Sequence, residues 1–214
     1  PDQHHVDGQR ALGRHEEALA AYDKAITLSP GLVDAYVNRG LTLTDLVRIE
    51  EALADFDSAI ALDPDLKTAR IGRSDALVKG GRIDEALAYD RALMRNPNFK
   101  LDAEFHAAFL LLQRGEWEEG WKFYESRRHK DDPTETRSYP QPEWLGEGEL
   151  AGKTLYAYAE QGLGDIIHFS RYLGLAAARG ARVIFSPQDK LVRLMQSLVP
   201  KAEILPWKTA PAHF

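Results

Sequence analysis

"EEALAAYDKAITLSP" (residues 16–30) and "EEALADFDSAIALDP" (residues 50–64) stand 34 residues apart and agree at nearly every apolar position. A period of that length marks a repeat architecture, in which each unit buries its apolar face only against its neighbours. The same clock runs through Gly13, Val47, Gly81 and Gly115. It runs again through Ala18, Ala52, Ala86 and Gly120, small residues where one helix must approach another closely. Tyr22, Phe56 and Tyr124 keep the beat as aromatic fillers, and Pro30 and Pro64 close two of the units.

Small residue, aromatic, alanine (Ala25, Ala59) and proline, in that order along one helix, resemble the second helix of the tetratricopeptide repeat. That resemblance implies a solenoid of antiparallel helical hairpins over residues 1–128, with roughly seven helices, and a protein or peptide partner on its concave face. The start, "PDQHHVDGQR", puts polar residues where a first helix wants apolar ones, so this end is expected to fray.

Two units depart from the pattern. In "DEALAYDRALMRNP" (residues 84–97), Tyr89 and Pro97 fall one residue early, which predicts a helix turned by about 100° and corrected in a lengthened connection, "NPNFKLD". In the fourth unit, "GEWEEGWKFYESR" (residues 115–127), Trp117 and Trp121 lie four apart on one helical face. They are expected to seal the solenoid with Tyr124, burying against a linker around Trp144. Asn38 begins no ladder, because Gly72 stands 34 residues on, and Arg70, Arg73 and Lys79 read as a solvated basic face.

Residues 129–150 contain three prolines and two glycines without a period, and read as a linker or a laid-down strap. Beyond them the pattern changes to strand, helix, strand, helix, strand: "KTLYAYAE", "IIHFSRYLGLAAARG", "ARVIFSPQ", "DKLVRLMQSLV" and "AEILPW". Strands alternating with helices point to βαβ units and a parallel sheet, so the fold class is α + α/β, a helical solenoid followed over residues 151–214 by the start of a Rossmann-like βαβαβ domain.

The loop in "AEQGLGDIIHFSRY" (residues 159–172) falls at the carboxyl end of the first strand, where parallel sheets bind ligands. Gly162 and Gly164 permit positive φ and close backbone approach, and with Gln161 they form a site-shaped turn. It is neither a dinucleotide fingerprint nor a Walker loop. Asp165 reads as the N-cap of the following helix, which spacing alone favours, or as a general base aimed into a cleft. His168 could hydrogen-bond a substrate, and Arg171 could steady a phosphate.

The stretch from Trp144 to Leu198, preceded by residues 115–127, resembles the bacterial tetratricopeptide proteins that carry a C-terminal glycosyltransferase-like domain. Gly164, Asp165 and His168 are similar to the first loop of the lipopolysaccharide heptosyltransferases. The likeness implies Asp165 as catalytic base and Gln161, Gly162, Gly164, His168 and Arg171 as substrate contacts. It also implies a possible sugar acceptor and a nucleotide-sugar donor, held by a second half-domain of the full-length protein. No cofactor is expected in this chain, which alone should be inactive. The rival class is a non-catalytic interaction scaffold with a degenerate α/β cap.

Composition narrows the remaining classes. With 214 residues, 44% apolar and 28% charged, the chain has material for one or two cores. A formal charge of -6 argues against an electrostatic nucleic-acid binder. The lack of cysteine suits a reducing compartment, no apolar run reaches the length of a membrane span, and a cytoplasmic location is expected. Lacking an initial methionine, the chain reads as a fragment.

Overall fold

A computed structural model describes residues 14–129, 139–160 and 162–211. The chain divides into two compact units, Pro1–Asp131 and Asp132–Phe214.

The first unit is a run of helices: α1 (His15–Leu28), α2 (Val33–Asp45), α3 (Ile49–Leu62), α4 (Lys67–Lys79), α5 (Ile83–Leu93), α6 (Pro97–Gln113), α7 (Trp117–Tyr124) and a 3₁₀ turn (Glu125–His129). Each packs on the next, and α2, α4 and α6 also meet in series. The hairpins α2–α3, α4–α5 and α6–α7 share one turn chemistry. The N–H of Arg48 reaches the carbonyl of Leu43, that of Arg82 reaches Leu77, and that of Glu116 reaches Leu111, each at 2.9 Å. These are Schellman caps, which need a left-handed residue just after the helix. Gly81 (φ 74°) and Gly115 (φ 80°) supply it without strain, whereas Val47 is held there at φ 61°. Arg48 and Arg82 then pair with Glu51 and Glu85 in the first turn of the next helix.

Between hairpins the aromatic filler does the packing. Phe56 is fully buried, and its ring lies against both Gly40 and Gly72, sixteen residues before and after it. A Cβ on Gly72 would sit 2.6 Å from the ring, and one on Gly40 3.0 Å from it. Glycine is therefore demanded in two helix interiors, where it otherwise costs about 1 kcal/mol relative to alanine.

The third unit corrects the expected phase slip. Ala86, Leu87, Asp90 and Leu93 are buried in α5, each 34 residues after Ala52, Leu53, Phe56 and Ala59, so the helix is not rotated. Tyr89 stays beside the aromatic slot, and Asp90 enters it. Nor is the connection longer: residues 94–96 separate α5 from α6, against four residues, 63–66, between α3 and α4. The spare length lies in α6, which begins at Pro97 and runs 17 residues where α2 and α4 have 13. Pro97 at its first turn and the Asn96 side chain accepting from the Asn98 N–H explain why the helix starts so early.

The fourth unit carries an aromatic cluster of its own. Trp117 is 59% exposed and Trp121 45%. Tyr124 is instead the centre of a ring cluster within this unit, stacked on Phe105 at 5.9 Å and edge-on to Phe109 and Trp121. Arg127 covers its face at 4.6 Å. Gly120 packs tightly, since a Cβ there would lie 2.8 Å from Leu112.

The second unit holds a three-stranded parallel sheet in the order β1 (Thr154–Tyr158), β2 (Arg182–Ser186), β3 (Glu203–Ile204). Helices α8 (Leu163–Phe169), α9 (Arg171–Ala178) and α10 (Val192–Leu198) connect the strands. Ile166 of α8 and Met195 of α10 pack with Phe185, while Ala176 of α9 packs with Val183 and Leu150. Central β2 is buried from Val183 to Ser186, as a strand covered on both faces must be.

Residues 139–150 run as a strap in this unit. Tyr139 meets Tyr156 and Tyr158 ring to ring, and Trp144 lies under Arg179 at 5.4 Å with its indole N–H donating to the Glu147 carbonyl. On the same sheet, Tyr156 donates to the Thr209 carbonyl and Ser186 to that of Pro206. Among the described residues, no helix is long and apolar enough to cross a membrane.

Candidate functional site

The loop after β1 is built differently from its expected form. Gly162 is the N-cap of α8, with extended rather than left-handed backbone (φ -60°, ψ 162°), and Gly164 lies inside the helix with open space around it. Neither glycine is used for positive φ or for close approach within the chain. Asp165 is the third residue of α8, so the N-cap reading is corrected as well. Its carboxylate turns back toward Gly162, with Oδ2 3.6 Å from where a Cβ on that glycine would be. Negative charge in a first helical turn is favourable without any ligand. Gln161 lies outside the described residues.

His168 and Arg171 do come together. Nη2 of Arg171 is 2.9 Å from Nε2 of His168, and its guanidinium lies 5.2 Å from the Tyr172 ring, which stacks on Phe169. Asp165, His168 and Arg171 are all exposed.

In the solenoid a groove of about 530 Å³ lies between α1, α2 and α3. Leu19, Leu43, Ala20 and Ala54 floor it, and Glu16, Asp23 and Glu51 stand around it with Arg48. Arg39 spans its base, donating through Nε and Nη2 to both oxygens of Asp55 at 2.7 and 2.5 Å and through Nη1 to Asp23 at 2.5 Å. The Asp55 hydrogen bonds, opposed by burial and reinforced by Asp23, raise the Arg39 pKa above the ordinary guanidinium value.

One unit on, Arg73 repeats the pattern toward Asp57 at 2.7 Å and lies over Tyr89. Arg70 covers Phe99 and donates to the Pro64 carbonyl. Arg70 and Arg73 of the basic helix face are thus engaged within the chain, while Lys79 is exposed.

Between α4, α5 and α6 lies a polar cluster that the sequence reading missed. Asp90, 1% exposed, accepts from Ser74 Oγ at 2.8 Å and faces Nδ1 of His106 at 2.7 Å, while Asp75 meets the other ring nitrogen at 2.9 Å. Burial alone would lower the His106 pKa, but the hydrogen bonds and charges of the two carboxylates outweigh it and raise the value to about 9. The signal was present as three changes on one clock: Gly40 to Ser74, Phe56 to Asp90 and Gly72 to His106. Among the described residues, no group of three or more His, Cys, Asp or Glu is placed to hold a metal ion.

Helix pairs on a 34-residue period, joined by identical caps and packed through an aromatic on glycine, define a helical-repeat solenoid. The repeats are tetratricopeptide repeats: the TPR repeat family matches residues 9–47 and a second tetratricopeptide repeat family matches residues 37–99. Protein FlbA of Caulobacter vibrioides is 34% identical over 125 residues, covering 55% of this chain and 21% of that protein. This chain therefore spans about a fifth of that relative.

A tetratricopeptide repeat protein from Parabacteroides merdae superposes with a TM-score of 0.51 at 22% identity, covering 60% of this chain and 50% of that one, which shows the fold. A MamA structure from Desulfovibrio magneticus gives 0.49 at 18% identity, covering 59% and 74%. The first unit accordingly carries tetratricopeptide repeats over residues 9–99.

Proposed function

We propose that the solenoid engages a basic, amphipathic segment of a partner protein in the groove between α1, α2 and α3. The observation that carries this reading is the groove's composition: an apolar floor lined by Glu16, Asp23, Glu51 and Asp55 against Arg39 and Arg48, so that after Arg39 binds Asp55 and Asp23 and Arg48 binds Glu51 a net negative charge remains. Such a rim favours a cation, and the floor favours the aliphatic stem that carries it. The test is calorimetric titration of the whole chain with a peptide alternating Leu and Lys, against its Leu and Glu counterpart. The Lys peptide should bind, weaken with salt, and lose binding when Glu16→Lys and Glu51→Lys are combined. Equal binding of both peptides, no binding, or full retention by the double variant would each overturn the groove assignment.

The finer reading of the second unit is sugar transfer by a longer protein. It is supported by the parallel β1-β2-β3 order and by a loop that leads from β1 into a helix exposing Asp165, His168 and Arg171. In that role the Asp165 carboxylate takes the proton of an acceptor hydroxyl as its oxygen attacks the anomeric carbon and the nucleoside diphosphate leaves. Gln161, Gly162 and Gly164 line the acceptor's approach, and His168 and Arg171 hold its polar groups. The nucleotide-sugar donor supplies the sugar and the leaving group.

A further inference from the structure

We propose that the joint between the α4–α5 and α6–α7 hairpins is an ionic latch, at which the α6–α7 hairpin parts from the solenoid as a unit according to the charge on His106. The inference starts from an equivalence of address. Phe56 sits between Gly40 and Gly72, sixteen residues to either side; Asp90 sits between Ser74 and His106 at the same offsets. At the first joint, closure is apolar and indifferent to pH. At the second, closure depends on an imidazolium bridging two carboxylates, Asp90 from α5 and Asp75 from α4.

Other ion pairs cross the joint, Arg114 with Asp84 and Arg91 with Glu119, but their groups are guanidiniums and carboxylates, which do not titrate between pH 6 and 9.5. A small cavity beside it is lined by Lys67 and Arg70 of α4 and by Asp102 of α6, with Asp90 and His106 themselves. Lys67 is paired with Asp102 at 3.4 Å, and Arg70 is spent on the Pro64 carbonyl and the Phe99 ring. The cation in hydrogen-bond contact with Asp90 is His106, through Nδ1 at 2.7 Å. When the imidazolium loses its proton, Asp90 keeps a hydroxyl and a neutral ring as partners, and a buried carboxylate without a countercharge is expensive.

The sign follows from the raised pKa. His106 holds its proton more tightly in the closed joint, at about 9, than in the opened one, near the ordinary 6.5. Its contribution to closure is complete below the lower value and lost as pH rises through the upper one. Within that window the opening equilibrium should rise by up to about tenfold per pH unit, and it should be flat below it.

The experiment is native-state hydrogen exchange of the whole chain from pH 6 to 9.5, corrected for the intrinsic rate. Residues in α6 and α7 should open progressively more as pH rises, while residues in α2 and α3 do not follow. Two variants decide the cause. His106→Gln keeps a hydrogen-bonding side chain without the titration. The triple change Ser74→Gly, Asp90→Phe and His106→Gly transplants the first joint into the second. Both should flatten the α6–α7 profile. If the triple variant does not fold, His106→Gln alone decides. A steep profile that persists in His106→Gln, a flat profile in the unaltered chain, or a rise shared equally by α2 and α3 would overturn the latch.

Discussion

The ring of Phe56 lies 2.6 Å from the point where a Cβ on Gly72 would be, so these two residues of neighbouring hairpins exclude any larger side chain between them. Gly72→Ala gains helix propensity but drives a methyl into a fully buried ring. We expect a net loss of about 1–3 kcal/mol in urea unfolding. Adding Phe56→Leu should return part of that loss, since the two changes act on one contact. A neutral or stabilising Gly72→Ala would show that the ring can move aside.

Val47 takes the left-handed conformation that Gly81 and Gly115 take at the same place in the next two hairpins. The side chain is exposed and a β-branched residue is strained there. Val47→Gly should therefore stabilise the chain by about 1 kcal/mol, the relief of strain exceeding the entropy cost of glycine. An unchanged or lower urea midpoint would mean that the strain is already relaxed.

Asp55 is buried and depends on Arg39 for both of its oxygens. Arg39→Leu leaves that carboxylate without a countercharge and should cost about 3 kcal/mol or more. The double change Arg39→Leu, Asp55→Leu should recover most of the loss, because an apolar pair can replace a buried ion pair. If the double variant unfolds as easily as the single, Arg39 matters through its shape and its Asp23 bond rather than through Asp55.

Asp165 lies in the first turn of α8 and caps nothing. Asp165→Asn removes only a favourable charge at a helix start, worth about 0.3–1 kcal/mol. In the full-length protein it should lower sugar-transfer turnover roughly 100-fold or more if the carboxylate is the base. Unchanged turnover would leave Asp165 a helix-dipole residue.

Much of the solenoid was legible because its packing is periodic. Ala52, Phe56 and Ala59 must recur if each hairpin meets the next in the same way. The third unit was misread because Tyr89 was assumed to keep the aromatic's job one residue early. Tertiary contact decided otherwise: Ser74 and His106 had already become polar, so the slot took Asp90, and Tyr89 was left to receive Arg73. Around Asp165 the helix boundary was misplaced by three residues. Gly162 can adopt the extended cap conformation and Leu163 can open the helix, a choice that local preference leaves open.

The two joints also bear on how such an array can be inherited. Each takes one part from the hairpin before it and one from the hairpin after, and neither accepts the other's pieces. Tandem duplication of residues 67–100 would set Asp90 against a second copy of Gly72, a carboxylate facing bare backbone. Loss of the same segment would press the imidazole of His106 onto the Phe56 ring, where only hydrogen fits. Unequal recombination, the usual source of longer and shorter repeat proteins, is thereby penalised at this point, and the copy number of hairpins is held by side-chain chemistry.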